Sequence, residues 1–398
     1  MLEHGVRVLQ LHTSAQIRAA LVMVGADSAL TEKAARAEFR VVKITGAALP
    51  LARYLYQELE MESGQAVTAS RLDHSGIGTT DVLLCATRYQ LDHLLVRLRL
   101  QANEELQYLA TQIERALNDF ISPPPPLDLG GARFDWSRPY VMGILNISPD
   151  AFDDADAAPA ADRAASWTER AVARAETLIA AGADLLELDN EPTRPYATPT
   201  DAETELARSV AVIHALRARG VPLAVNTAKA HVAAAALDAG ASLVNDATGL
   251  RGDADMARVI AARGAAVVIT HADKLAARDF LSALLDHLRA QMNSALNAGV
   301  DAARIIIDPG LGLGKTTAQN LTLVNRFGEL RVLGCPLLLA PSRQEFSRAV
   351  TDAAADEHQA ETAAALAIGL ARGAHIARGY NVTLMARVAK MTDALLNS

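Results

Sequence analysis

The sequence predicts an α/β chain: a closed (β/α)8 TIM barrel preceded by a small N-terminal α/β domain. Three observations predict it. From residue 135 onward, short apolar runs alternate with alanine-rich stretches of helical spacing, the pattern of parallel strands and their crossover helices. Nearly every run breaks into polar residues at the same end, where a parallel barrel collects its chemistry. Consecutive prolines at 123–126 cannot continue a helix and mark the division between the two parts.

The expected boundaries are an N-terminal α/β extension over 1–122, a Pro/Gly-rich linker over 123–134 and the barrel over 135–398. In the extension, 40–44 and 81–85 read as strands, while 49–61 and 89–120 carry helical spacing. Asp73, His74 and His93 are isolated there and gather no constellation. The barrel strands are expected at 141–150, 185–188, 222–225, 242–244, 265–269, 304–307, 336–339 and 375–377. Between them, 165–181, 204–219, 232–239, 255–263, 280–298, 319–330 and 361–372 read as helices. Strand candidates spread over roughly 260 residues match the length of a closed barrel. An open doubly wound sheet is the other arrangement this alternation allows, but no GxGxxG opens a helix after the first strand.

Composition narrows the function. A net charge of −8 argues against a general nucleic-acid binder, and aromatics at 4% leave little for base stacking. No apolar run reaches the roughly 20 residues of a membrane-spanning helix, and the first residues lack an export pattern, so the cytoplasm is the expected location. Cys85 and Cys335 lie far apart in apolar surroundings and read as buried structural thiols.

Five segments at the strand ends carry a resemblance: 142–152 (MGILNISPDAF), 191–195 (EPTRP), 244–246 (VND), 308–315 (DPGLGLGK) and Ser342-Arg343. In this order and spacing they resemble the dihydropteroate synthase family. Members join the methyl diphosphate of a reduced pterin to p-aminobenzoate and release pyrophosphate. The resemblance implies that Asn245 and Asp308 hold the pterin edge, whose alternating donors and acceptors suit amide and carboxylate groups. It implies that Asn146 serves the diphosphate with Mg2+ and that Arg378 assists. Thr193 and Arg194 fall on the loop that covers the aromatic amine, and Ser342 with Arg343 shapes its pocket. The same resemblance implies small-molecule substrates and a homodimer.

Against the family pattern, Asn226-Thr227 stands where the third strand usually ends in aspartate and threonine. Ser342-Arg343-Gln344 replaces Ser-Arg-Lys, Arg378-Gly379-Tyr380 replaces Arg-x-His, and Asp189-Asn190 replaces a pair of glycines. Losing an anion at Asn226 and a cation at Gln344 together leaves the pocket's charge balanced, where losing one alone would strand a buried ion. Asn226, Gln344 and Tyr380 are therefore expected in a remodelled pocket. The alternatives are a pterin-binding homologue without turnover and a methyltetrahydrofolate-type methyltransferase. Simpler readings also exist: Asn146 or Asp308 as turn residues, Lys315 as a solvated charge, Arg378 in a rim salt bridge, His271 as a packed rim residue, and Asp153, Asp154 and Asp156 as a solvated loop.

Overall fold

A computed structural model describes residues 9, 11, 13–26, 29–68, 78–148, 166–190, 200–341, 350–351 and 358–397. The chain divides into two compact units, Met1–Ile121 and Ser122–Ser398.

The first unit runs α1 (Ser14–Met23), α2 (Leu30–Ala37), β1 (Phe39–Ala48), α3 (Leu49–Met61), β2 (Gln65–Thr68), β3 (Thr79–Thr87), α4 (Arg88–Leu100) and α5 (Glu104–Ile121). Its strands form an antiparallel sheet in the order β1-β3-β2. Leu55, Leu59, Leu84, Leu94 and Leu98 are among the side chains of its core. The single helix expected over 89–120 is two, because Asn103 Oδ1 accepts the backbone N–H groups of Glu105 (2.9 Å) and Leu106 (3.2 Å) and starts a new helix. Gln65–Thr68 carried no clear strand signal; it is short and half-exposed.

The second unit opens with a hairpin, β4 (Leu127–Leu129) and β5 (Ala132–Phe134). The linker reading of 123–134 missed it. Leu127, Leu129 and Phe134 are buried in one cluster with Trp136, Tyr140 and Met142, so this segment plugs the N-terminal end of the barrel. Trp136 Nε1 donates to Pro125 O at 2.7 Å and ties the prolines to the plug.

The barrel follows: β6 (Tyr140–Asn146), α6 (Trp167–Ala180), β7 (Leu185–Asp189), α7 (Ala202–Leu216), β8 (Leu223–Asn226), α8 (Ala230–Ala239), β9 (Leu243–Asp246) and α9 (Met256–Ala262). It continues β10 (Ala266–Thr270), α10 (Phe280–Asn297), β11 (Ile305–Asp308), α11 (Thr317–Asn325), β12 (Leu338–Leu339), α12 (Gln359–Ala371), β13 (Ile376–Gly379) and α13 (Val382–Leu396). The parallel sheet has eight strands in the order β11-β10-β9-β8-β7-β6-β13-β12. A parallel bridge between Ile307 and Leu337 joins the two ends, with Ile307 N–H donating to Pro336 O at 2.9 Å. The ring is closed, which excludes the open doubly wound sheet.

Each strand expected from sequence is present, most of them shifted toward the polar end, because the first polar residue still pairs with its neighbours. Gly143 lies where β6 meets the last helix: a Cβ there would sit 2.9 Å from Val382 Cγ2, so the closest approach admits no side chain. Cys335 is buried and Cys85 partly so, and neither forms a disulfide. Among the described residues, no helix is long and apolar enough to cross a membrane. Phe134 is 2% exposed at the centre of the plug; Phe134→Ala is expected to lower stability by about 3–5 kcal/mol, read as the shift of a urea unfolding transition.

Candidate active site at the barrel mouth

Side chains alternate along a strand, and this sorts the barrel into two layers. Met142, Leu185, Ala224, Leu243, Val268, Ile306 and Ile376 pack on one another inside the ring, while Val141, Leu186, Val225, Val244 and Ile307 pack outward with the helices. Residues two or four positions past the inner set share its face. That places Asn146, Glu187, Asp189, Asn226, Asn245, Thr270, Asp308 and Arg378 inside, at or near the C-terminal strand ends. The apolar floor thus gives way to a polar tier facing the mouth.

Asn146, Asp189, Asn226 and Asn245 are register neighbours across β6, β7, β8 and β9. Thr270 pairs with Asp308 across β10 and β11. Of the residues expected to form the site, Asn146, Asn226, Asn245, Asp308 and Arg378 are therefore brought together. Tyr380 is 46% exposed, one residue past β13. Thr193, Arg194, Ser342, Arg343, Gln344 and the acidic run Asp153, Asp154 and Asp156 lie outside the described residues.

The centre of the tier is an ion pair. Glu187 is fully buried, and Arg378 Nε donates to its two carboxylate oxygens at 3.0 and 2.9 Å, with Arg378 Nη2 bonded to Oε1 as well. Asn245 Nδ2 donates to Glu187 Oε2 at 2.7 Å, and Thr270 Oγ1 donates to Asn245 Oδ1 at 3.4 Å. Glu187 was absent from the expected site because it stands inside an apolar run. A carboxylate in a strand buried on both faces does carry a signal, since it demands a cationic partner. Burial disfavours the charge of Arg378, but Glu187 and then Asp308 and Asp189 outweigh it and hold the guanidinium above its usual range. The rim salt bridge considered for Arg378 is in fact an interior one.

Asp308 is buried and accepts the N–H of Gly310 at 2.8 Å. Burial pushes its carboxyl up, against that hydrogen bond and the charges of Arg378 and Lys315. Gly310 has φ +73°, and a Cβ there would fall 1.9 Å from His271 O, so this turn requires glycine. Lys315 is no solvated charge: its Nζ meets His271 Nδ1 at 3.2 Å, His271 O at 2.9 Å and Leu313 O at 3.0 Å. Burial lowers its ammonium to about 8, opposed by Asp308 and Asp273. Burial, then Lys315, lowers His271 to about 4, so the ring is neutral near pH 7. With the ammonium donating to Nδ1, the ring proton is assigned to Nε2.

His271 is not alone on the rim. Asp273 and His287 bring donor atoms within 4.8 Å of one another and of His271. Asp273 already pairs with Arg251 at 2.7 Å, and the Lys315 ammonium faces His271, so two cations occupy the ground a metal ion would need.

The neighbours of the inward residues serve the scaffold. Asn190 Nδ2 donates to Ser209 Oγ on α7 at 2.8 Å, and its carbonyl accepts from Thr200 at 2.6 Å. Asp246 Oδ1 accepts the N–H and hydroxyl of Thr248, each at 2.7 Å, and shapes the turn after β9. Asn146 Oδ1 accepts the N–H of Ser148 at 2.8 Å and turns the chain out of β6.

Among the described residues the barrel mouth presents carboxamides, carboxylates and the guanidinium of Arg378, and the family model described as Pterin binding enzyme matches residues 142–379. A dihydropteroate synthase of Bacillus subtilis is 38% identical over 262 residues, 65% of this chain and 90% of the relative. A probable bifunctional folylpolyglutamate synthase/dihydropteroate synthase of Haloferax volcanii is 33% identical over 370 residues, 88% of this chain and 43% of that protein, a match long enough to enter the N-terminal unit. Among solved structures, dihydropteroate synthase from Xanthomonas albilineans in complex with 7,8-dihydropteroate superposes with a TM-score of 0.62 at 32% identity, covering 69% of this chain and 100% of the other. The chain belongs to the dihydropteroate synthase family.

Two outcomes follow from the buried charges. Glu187→Gln leaves the guanidinium of Arg378 unpaired and is expected to cost about 3–5 kcal/mol in equilibrium unfolding, whereas the double replacement Glu187→Leu/Arg378→Met costs less than either single change. Between pH 6.5 and about 4 the unfolded chain holds a proton on His271 that the folded chain does not. Stability contributed by the neutral ring is therefore complete above 6.5 and falls as pH drops, by up to about 1.4 kcal/mol per pH unit. Replacing His271 with Asn should flatten that part of the curve of unfolding free energy against pH.

Proposed function

We propose that this chain is a transferase of the dihydropteroate synthase type, condensing a dihydropterin methyl diphosphate with p-aminobenzoate in folate biosynthesis. The observation that carries the reading is the convergence of Asn146, Asn245, Asp308 and Arg378, from four separate strands, on one polar tier inside the barrel mouth. Asp308 offers a carboxylate to the ring N–H and amino donors of the pterin, and Asn245, its carboxamide fixed by Glu187 and Thr270, offers one matched orientation. Glu187 takes the Nε and Nη2 edge of Arg378; among the described residues Nη1 has no partner and is the donor assigned to the diphosphate. Ser342, Arg343 and Gln344 with Thr193 and Arg194 are assigned to the aromatic amine and the outer pocket, and Tyr380 to its rim.

Mg2+ fits the donor set. Asn146, whose carboxamide oxygen accepts the Ser148 N–H, is the register neighbour of Asp189 on the next strand, and an amide oxygen beside a carboxylate is a hard-oxygen donor set suited to an ion that keeps most of its water. Asn146 would hold it, and the ion when bound supplies positive charge to the leaving group. The residues do the rest: they orient the pterin, hold the methylene in line with the amine and neutralise charge as it develops. No nucleophilic side chain is required. A cytoplasmic location and a homodimer complete the proposal.

The test is pyrophosphate release from purified protein with both substrates. The expected result is turnover that is lost on chelation and restored by Mg2+, and that falls by about 10²–10³ in Asn146→Ala, the scale of losing one preorganised group. Calorimetric binding of the pterin with no product would overturn the transferase reading in favour of a binding protein.

A further inference from the structure

The loop that follows β11 is built around one cation. Asp308 ends β11, and its Oδ1 accepts the Gly310 N–H at 2.8 Å, which folds the chain back on itself. Leu313 N–H donates to Gly310 O at 3.0 Å, and the buried Asn320 of α11 holds the rest: its Oδ1 accepts the Gly312 N–H at 2.9 Å and its Nδ2 donates to Lys315 O at 3.3 Å. The Lys315 side chain is thereby returned under the turn, where a Cβ on Gly310 would lie 3.2 Å from its Nζ. His271, which receives the ammonium, donates its own N–H to Asp308 O at 3.0 Å. The lysine and the carboxylate are thus held in one rigid frame.

The bonding of the ammonium leaves its charge free to act at a distance. Its three donors go to His271 Nδ1, His271 O and Leu313 O, all neutral acceptors, which solvate a charge without cancelling it. Among the described residues Lys315 makes no direct ion pair. The carboxylates whose charges reach it are Asp308 and Asp273, and Asp273 is already paired with Arg251 at 2.7 Å. Asp308 in turn feels the cations Arg378 and Lys315 and the anion Glu187, and Glu187 takes up Arg378 through Nε and Nη2. His271, neutral near pH 7, and His287 on α10 beyond it complete the titratable groups that face the pair. Burial works against the charge of Asp308. A pterin edge brings N–H donors to this side chain, and a protonated carboxyl would set its own O–H against them in place of an acceptor oxygen.

We propose that Lys315 is a positioning residue of the pterin site, supplying from behind the Gly310 turn the counter-charge under which Asp308 meets the pterin as a carboxylate; the proposal rests on the reading that Asp308 holds the pterin edge. Lys315 acts through Asp308 and not on the substrate.

The experiment is calorimetric binding of a dihydropterin without its diphosphate to the wild type, Lys315→Met, Lys315→Gln and Lys315→Arg, followed as pH is lowered from about 9 to about 5, with folding checked by thermal unfolding. Titration of the pterin itself is common to all four proteins. Affinity is lost where Asp308 takes up a proton, and removing a nearby positive charge raises the pH at which it does so. The midpoint is expected about 1–3 pH units higher in the two neutral variants and within about half a unit of the wild type in Lys315→Arg, whose charge is kept. A loss of equal size at every pH, neutral variants within about half a unit of the wild type, or a shift as large in Lys315→Arg overturns the proposal. Should both neutral variants fail to fold, infrared difference spectra of the wild type against Asp308→Asn give the answer without touching Lys315: a carboxylate band is expected at about pH 7, and a protonated carboxyl band there overturns the proposal. A wild type that binds no dihydropterin at any pH overturns the pterin reading with it, whereas pterin binding without pyrophosphate release removes the transferase reading alone.

Discussion

A guanidinium inside a barrel must have an anion at hydrogen-bond distance, and the whole polar tier is arranged around that requirement. Arg378 and Glu187 are 191 residues apart in sequence and meet only because the ring closes, bringing β13 to within one strand of β7. Glu187 then has oxygen capacity to spare, and Asn245 uses it. The pair, the carboxamide and Thr270 form one hydrogen-bonded chain across the interior, so a displacement of any strand end disturbs several partners at once. A substrate that must be held in line with a second reactant needs this kind of rigidity beneath it.

The strand ends divide their labour by parity. Asp189, Asn245 and Thr270 point inward, and the residues immediately after them, Asn190, Asp246 and His271, bind loops or helices instead. Two polar residues in succession at a strand end therefore have opposite faces and unrelated duties. The pair Asp189-Asn190 shows why this matters: it occupies one site in the sequence pattern, yet one member lies on the inner face of the barrel and the other anchors α7.

Carboxylates at Glu187, Asp189 and Asp308 share the inner face of the barrel with the carboxamides of Asn146, Asn226 and Asn245 and the guanidinium of Arg378. The same low dielectric that makes these charges costly to bury makes them effective once a partner of opposite sign is present.

The closed barrel was legible in the sequence because burial on both faces of a parallel strand leaves uninterrupted apolar runs, and their period needs no partner to be read. Five residues of the inner polar tier, Asn146, Asn226, Asn245, Asp308 and Arg378, were legible as strand-end polar groups because they follow such runs. The hairpin at Leu127–Phe134 was hidden: Pro and Gly around it read as a linker, and only the open barrel floor gives its apolar side chains somewhere to go. Glu187, Asp189 and Lys315 were hidden for a related reason. A local pattern shows that a charge lies in or beside an apolar segment, but which distant group neutralises it depends on closure of the ring and on strand register. The chain by itself determined the architecture and the residue types at the mouth; the tertiary structure alone decided how their charges are paired, because electrostatic partnership is set by separation in space.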